Sequence, residues 1–338
     1  MPSRSLLVLP DDSAKPILRA IDEASSSLRV KMFVFTDATL LKAVIAARRR
    51  GVKVQVLLNP ARKDGAEDNE DTRKALIKAG VQVRAANPAF SLTHEKSMVV
   101  DDATAFVKSL NWATKNLTQT RDYAVVTSHA REVREIVEGF DADWNRQRFA
   151  QSADSHLIWC PGGRDRIGGF IDEARHSLFL QNERYQDPVV IERLVRAAGR
   201  GVKIRLMARA PHTLKAEKLV EGVGGLRILD DVGIKVHKLK HLKLHGKMLL
   251  ADGVAAIVGS MNLTPGSFDD RRELGIIVHD EEVLERLEDV AHHDWKNSHP
   301  LDLSDDGLLA DLEDRMEAAA KLGIRDDRGA QRRDALDH

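Results

Sequence analysis

Cysteine is all but missing from this chain: Cys160 is the only one in 338 residues. No disulfide can form within the chain, and nothing in it requires an oxidising compartment. Cys160, beside Pro161, reads as a small packing residue. Long apolar runs are missing too. No segment approaches the ~18 uninterrupted apolar residues of a membrane-spanning helix. The run Leu6–Leu9 is too short for a signal-peptide core, so the expected location is the cytoplasm. Aromatic residues make up only 4% (9 Phe, 4 Trp, 2 Tyr), few for recognition by stacking on bases. Charge of one sign is not in excess either, since 52 Lys and Arg balance 52 Asp and Glu. Global charge therefore gives no argument for a nucleic-acid binder, although a local basic site stays open. "HEKSM" lacks the second histidine of a zinc HExxH, and no Gly-rich phosphate-cradling loop occurs.

What is present is an internal duplication. "AIDEASSSLRV" from Ala20 returns as "FIDEARHSLFL" from Phe170, and "ARRRGVKVQVLL" from Ala47 as "AGRGVKIRLM" from Ala198. Asp22 and Asp172 are 150 residues apart, as are Gly51 and Gly201. The offset is 151 for His94 and His245, Lys96 and Lys247, Asp101 and Asp252, Ser109 and Ser260, and Asn111 and Asn262. It is again 151 between Arg121-Asp122 and Arg272-Glu273, and between Asp143-Trp144 and Asp294-Trp295. The length suits two domains of about 150 residues. The expected division is 1–150, 151–300, and a C-terminal 301–338, with the join at 150–156. The last part reads as a short amphipathic helix from Asp302 to Gly323, then a charged tail.

Each half reads as α/β. In the first, the spacing of Ile17, Ile21 and Ala24 predicts a helix over Pro16–Ser27. Strand 28–35, helix 38–51 stopped by Gly51, and strand 52–58 follow. Next come helix 70–80 stopped by Gly80 and strand 81–86. Three short apolar strands, 97–102, 104–109 and 123–128, surround the polar motif, and a helix over 130–147 carries Trp144. The second half repeats the order.

The polar residues sit in "LTHEKSMVVDDATAFVKSLNWA" (Leu92–Ala113) and "LKLHGKMLLADGVAAIVGSMNL" (Leu242–Leu263). A histidine and a lysine two apart on a strand point to one face. The hairpin that follows brings a serine and an asparagine beside them. An imidazole, an ammonium and neutral donors together suit a tetrahedral oxyanion such as phosphate. One His-x-Lys alone is ordinarily a solvated strand edge. Repetition of the whole set at one offset is what separates a site from chance.

The two segments resemble the paired HxKxxxxD…GSxN signatures of the phospholipase D superfamily, over about residues 5–298. One departure is Lys108, where the pattern has the glycine that Gly259 supplies in the second half. The resemblance implies two similar α/β domains, each a mixed β-sheet flanked by helices. They are related by a pseudo-twofold axis, with one active site at their interface. It implies a two-step phosphodiester cleavage. One histidine, by resemblance His94, attacks phosphorus to give a phosphohistidine; the other, His245, protonates the leaving oxygen and then deprotonates water or an alcohol. Lys96, Lys247, Asn111 and Asn262 would hold the non-bridging oxygens, with Ser109 and Ser260 assisting. Two lysines replace metal charge, so no metal and no cofactor is expected. Asp122 and Glu273 are the expected acids on the far nitrogens of the histidines, and Asp101 and Asp252 the expected loop braces.

The first expectation for the substrate is a phospholipid at a membrane surface, as for the phospholipase D and cardiolipin synthase groups. The alternative is a metal-independent nuclease, favoured by the basic run "KVHKLKHLKLHGK" before the second motif. A half-buried strand with one solvated face explains that run equally well. A non-catalytic binding module is set aside because both motifs keep His and Lys. Tyr185 is either a cleft or a core residue. Met98, Leu244, Met248 and Met261 are the candidates for apolar contact with a lipid body, with core packing as the alternative.

Overall fold

The computed structural model describes residues 3–60, 68–152, 154–209 and 216–308. Most of the expected C-terminal helix and the whole charged tail lie outside these residues. The first half contributes β1 (Arg4–Leu9), β2 (Ser27–Met32), β3 (Lys53–Leu58), β4 (Gln82–Ala85), β5 (Leu92–Thr93), β6 (Ser97–Val100), β7 (Thr104–Lys108) and β8 (Thr120–Thr127). The second contributes β9 (Leu157–Cys160), β10 (Ser177–Gln181), β11 (Lys203–Met207), β12 (Lys235–Leu239), β13 (Lys243–Leu244), β14 (Met248–Ala251), β15 (Ala255–Gly259), β16 (Arg271–Val278) and β17 (Ser298–Pro300).

One sheet runs β1-β8-β7-β6-β2-β3-β4 and the other β17-β12-β11-β10-β14-β15-β16. Both are mixed. β2, β3 and β4 pair in parallel while β6, β7, β8 and β1 alternate; β10, β11 and β12 are parallel while β14, β15, β16 and β9 alternate. The topology is thus repeated, with β17 as an extra edge.

Helix ends follow local chemistry. The Asp37 carboxylate accepts from the amides of Thr39 and Leu40, both at 3.0 Å, and starts helix Ala38–Arg49. Asp187 does the same for Val190 at the head of Pro188–Gly199. Both helices run out into glycines in the left-handed region, Gly51 and Gly201.

Three cores result. Strand residues alternate between them, as the two-residue period requires. Phe106 of β7 and Ile257 of β15 face outward, each to its own half's helices, while Ala105, Val107, Ala256 and Val258 face a third core common to both halves. Tyr123, Trp159, Met248 and residues of helices Ala130–Asn145 and Glu281–Lys296 complete that shared core. The sheets therefore pack on each other through a central layer that belongs to neither half alone.

The halves also exchange strands. β5 pairs in parallel with β16, and β13 with β8. This reciprocity is what a pseudo-twofold axis produces.

Some boundaries differ from the sequence reading. The first helix covers only Lys15–Glu23, because the amides of Ser25, Ser26 and Ser27 are taken by the Asp101 carboxylate. β6 stops at Val100, as Asp101 adopts a φ of 53°. β8 starts three residues early, so Asp122 lies on a strand. The second half reaches past residue 300, since Leu301 and Leu303 are buried in its core.

Candidate active site

The strand exchange carries each histidine to the other half. After β5, the amides of His94 and Glu95 both donate to the Arg272 carbonyl, at 2.9 and 2.8 Å. After β13, the amides of His245 and Gly246 donate to the Arg121 carbonyl, at 3.2 and 2.7 Å. The His-x-Lys segments thus lie in extended links between two strands, not on one strand as the spacing suggested. Gly246 is required there: a Cβ would stand 2.8 Å from the Tyr123 ring.

The acids are consequently crossed. His94 Nδ1 lies 3.0 Å from Glu273 Oε2, and His245 Nδ1 lies 2.7 Å from Asp122 Oδ1. His94 Nδ1 is also 3.1 Å from the Ser260 carbonyl, which can only accept. Nδ1 therefore carries the hydrogen, and the Nε2 lone pair is left for chemistry.

Ser109 and Ser260 do not turn toward an anion between the histidines. They are fully buried and donate to the carboxylates: Ser109 Oγ to Asp122 Oδ1 at 2.6 Å, Ser260 Oγ to Glu273 Oε2 at 2.6 Å. Thr120 Oγ1 adds a 2.5 Å bond to Asp122 Oδ2. Each serine hydroxyl thus binds the acid of its own half.

Lys96 and Lys247 are buried, each Nζ donating to the carbonyl of its own half's histidine. Asn111 and Asn262 are also buried, each with an Oδ1 that has no hydrogen-bond partner among the described residues. Asp101 and Asp252 sit away from the histidines. Their carboxylates bind the amides of Ser25–Ser27 and of Arg175–Ser177, tying the turn after β6 or β14 to the start of β2 or β10.

Burial, then the charges of Lys96 and Lys247, push His94 well below the ordinary imidazole value. Burial brings Lys96 down to about 7 against the pull of Glu273, and pushes Glu273 up to about 7 against the pull of Lys96. Asp122 is equally buried, but His245, Lys247 and the Ser109 hydroxyl outweigh desolvation and leave it below the usual carboxylate value.

The repeated Arg and Asp residues close the interface from both sides. Arg121 pairs with Asp294 at 2.9 Å and Arg272 with Asp143 at 2.8 Å, both buried and both between halves. Lys31 adds buried pairs to Glu95 at 2.9 Å and Asp143 at 2.6 Å.

One acid escaped the sequence reading. Glu183 Oε2 lies 2.8 Å from Lys247 Nζ and 3.9 Å from His245 Nε2, and Glu183 Oε1 lies 3.2 Å from Arg209. Burial opposes its charge, yet Lys247, His245 and Arg209 hold it well below the usual carboxylate value. At the 150 offset its counterpart is Phe33, so the repeat did not mark it. The available signal was the break in the repeat: an acid just past a strand, where the other copy is aromatic.

The remaining candidates fall outside the centre. Lys108 is fully buried over the Trp112 ring at 4.5 Å, and its Nζ has no hydrogen-bond partner among the described residues. Tyr185 is a core residue that donates to the Met207 carbonyl at 3.0 Å. Met98, Leu244, Met248 and Met261 are all in the cores. Cys160 is fully buried, and burial raises its thiol pKa. In the basic run, Lys235, Lys240 and Lys243 are exposed while His237 stacks on Trp295. No described helix is long and apolar enough to cross a membrane.

Fold and centre together define a duplicated α/β protein with a single His–Lys site assembled by exchange between its halves. A family model described as "Cardiolipin synthase, PLD-like domain" matches residues 17–144 and again 168–295. The chain belongs to this family, within the phospholipase D superfamily of phosphodiesterases. It is 27% identical over 323 residues to the cardiolipin synthase B of Shigella flexneri, covering 81% of this chain and 75% of that protein. It is 31% identical over 134 residues to the mitochondrial cardiolipin hydrolase of Mus musculus, covering 40% of this chain and 59% of that one. The phosphatidylserine synthase structure from Haemophilus influenzae Rd KW20 superposes with a TM-score of 0.69 at 11% identity, over 95% of each chain, a likeness of fold.

Proposed function

We propose that the protein is a phospholipid phosphodiesterase and phosphatidyltransferase working through a phosphohistidine. The observation that carries this reading is the crossed pair His94–Glu273 and His245–Asp122. Each imidazole is anchored through Nδ1, which leaves two Nε2 atoms for the chemistry, flanked by Lys96 and Lys247.

In the first step the His94 Nε2 lone pair forms a bond to phosphorus. The P–O bond to the leaving alcohol breaks as His245 Nε2–H gives that oxygen its proton. In the second step His245, now neutral, takes the proton of water or an alcohol. The incoming oxygen bonds to phosphorus, and the N–P electron pair returns to His94. Lys96 and Lys247 balance the charge on the non-bridging oxygens, with Asn111 and Asn262 as neutral partners. Glu273 and Asp122 hold the ring orientation. The lipid assignment draws on the family model and on relatives described as acting on or making cardiolipin.

The test is incubation with phosphatidylglycerol vesicles and ethanol in excess EDTA. Phosphatidylethanol should form, and His94→Ala and His245→Ala should each lower turnover at least ~1,000-fold. Turnover near the parent rate in either variant contradicts the shared centre. No lipid exchange, with EDTA-resistant cleavage of DNA or RNA, turns the assignment to a nuclease using the same chemistry.

A further inference from the structure

The two half-sites share histidine, lysine, serine and asparagine, and they differ in what stands beside the imidazole. Phe33 follows β2 and lies against the first-half pair: its ring centroid is 4.9 Å from that of His94 and 5.2 Å from Lys96 Nζ. Glu183 follows β10 at the matching place, 3.9 Å from His245 Nε2 and 2.8 Å from Lys247 Nζ. One histidine thus has an aromatic face beside it, the other a carboxylate.

The charged surroundings differ accordingly. His94 faces Glu273 across the exchanged strand, the cations Lys96, Lys247 and Arg271, and His245. His245 faces Asp122 at Nδ1, Glu183 toward Nε2, Lys247 on its own segment, and His94. Among the described residues, a carboxylate stands within 4 Å of the reacting nitrogen only in the second half-site. Glu183 also neutralises part of the Lys247 charge, so the two lysines are not equivalent toward phosphate.

We propose that Glu183, against Phe33, is the positioning residue that breaks the symmetry of the site, holding the reactive proton on His245 and leaving His94 as the nucleophile. The inference rests on the two-step reading above. Glu183 touches neither phosphorus nor the bond that breaks. It acts by keeping the His245 Nε2–H in place until the leaving oxygen takes that proton. In the second step it offsets the charge His245 gains from the incoming hydroxyl.

The test is Glu183→Gln, which keeps shape and removes charge. Two probes are compared: phosphatidylglycerol vesicles, whose alkoxide leaving group needs a proton, and bis(4-nitrophenyl) phosphate, whose phenoxide needs little. The loss on the lipid should exceed the loss on the aryl ester by about tenfold or more. Inhibition by inorganic phosphate should tighten several-fold as the pocket gains net positive charge. Equal losses on the two probes overturn the role of Glu183 and leave the phosphohistidine reading standing. Failure to trap a covalent phospho-adduct on either histidine of the parent enzyme sinks that reading and this inference with it.

Discussion

Lys96 and Glu273 decide how the site responds to pH, because burial drives them to the same region from opposite sides. Below about 7 Glu273 gains a proton and ceases to be the ionised acceptor for His94 Nδ1. Above about 7 Lys96 loses the charge that phosphate needs. The expected kcat/KM profile is therefore a narrow bell centred near neutrality, whose limbs belong to the coupled site. In kcat the alkaline limb should lie higher, because bound phosphate keeps Lys96 charged. Rates between pH 5 and 9 check this, and a flat kcat/KM profile contradicts it. Lys108 is a stability residue by the same logic. Burial holds its amine well below 10.5, so folding strips a proton that the unfolded chain keeps. The unfolded state then binds more protons, and stability rises with pH toward the unfolded lysine value. Lys108→Met should raise stability by on the order of 1–3 kcal/mol at neutral pH. That gain should shrink as pH approaches about 10, read by urea unfolding at several pH values.

Strand pairing around the motifs shows which glycines are obligatory. In β15 and β16, Gly259 faces Gly275, and a Cβ on Gly259 would stand 2.6 Å from the Gly275 Cα and from the Leu274 carbonyl. In β7 and β8 the same register holds Lys108 opposite Ala124, so the first half has room for side chains that the second lacks. Gly259→Ala should cost on the order of 1–3 kcal/mol through overpacking, seen as a lower urea midpoint with unchanged slope. Stability equal to the parent would mean that these strands can separate without cost. Most of the elements were legible beforehand. Their signals are local: the helical spacing of Ile17 and Ile21, stops at Gly51 and Gly80, and alternation along β3.

The halves behave as one folding unit on this architecture. The central core draws side chains from both sheets, and two buried ion pairs, Arg121–Asp294 and Arg272–Asp143, span the interface. Residues 1–150 and 151–338 produced separately should each be inactive, because neither contains a complete histidine–acid pair. Each should also associate non-specifically through its uncovered apolar face. Produced together they should recover turnover, measured beside their elution on gel filtration. Full activity of one piece alone contradicts the crossed site.

The duplication, the α/β class and most of the polar residues at the centre were readable from the chain because a constant offset and short-range periodicity are properties of neighbours in sequence. Their pairing was not. His94 is as compatible in spacing with Asp122 of its own half as with Glu273, 179 residues away, and a repeat makes both choices look the same. The strand exchange selects the distant partner, since β5 hydrogen-bonds to β16 and sets His94 beside Glu273. It also lifts His-x-Lys off the strand on which the spacing placed it, and it turns the serines toward the acids. Glu183 stood at a place where the repeat is broken, so comparing the halves passed over it. Its nearness to His245 exists only once β10 and the link after β13 are packed together.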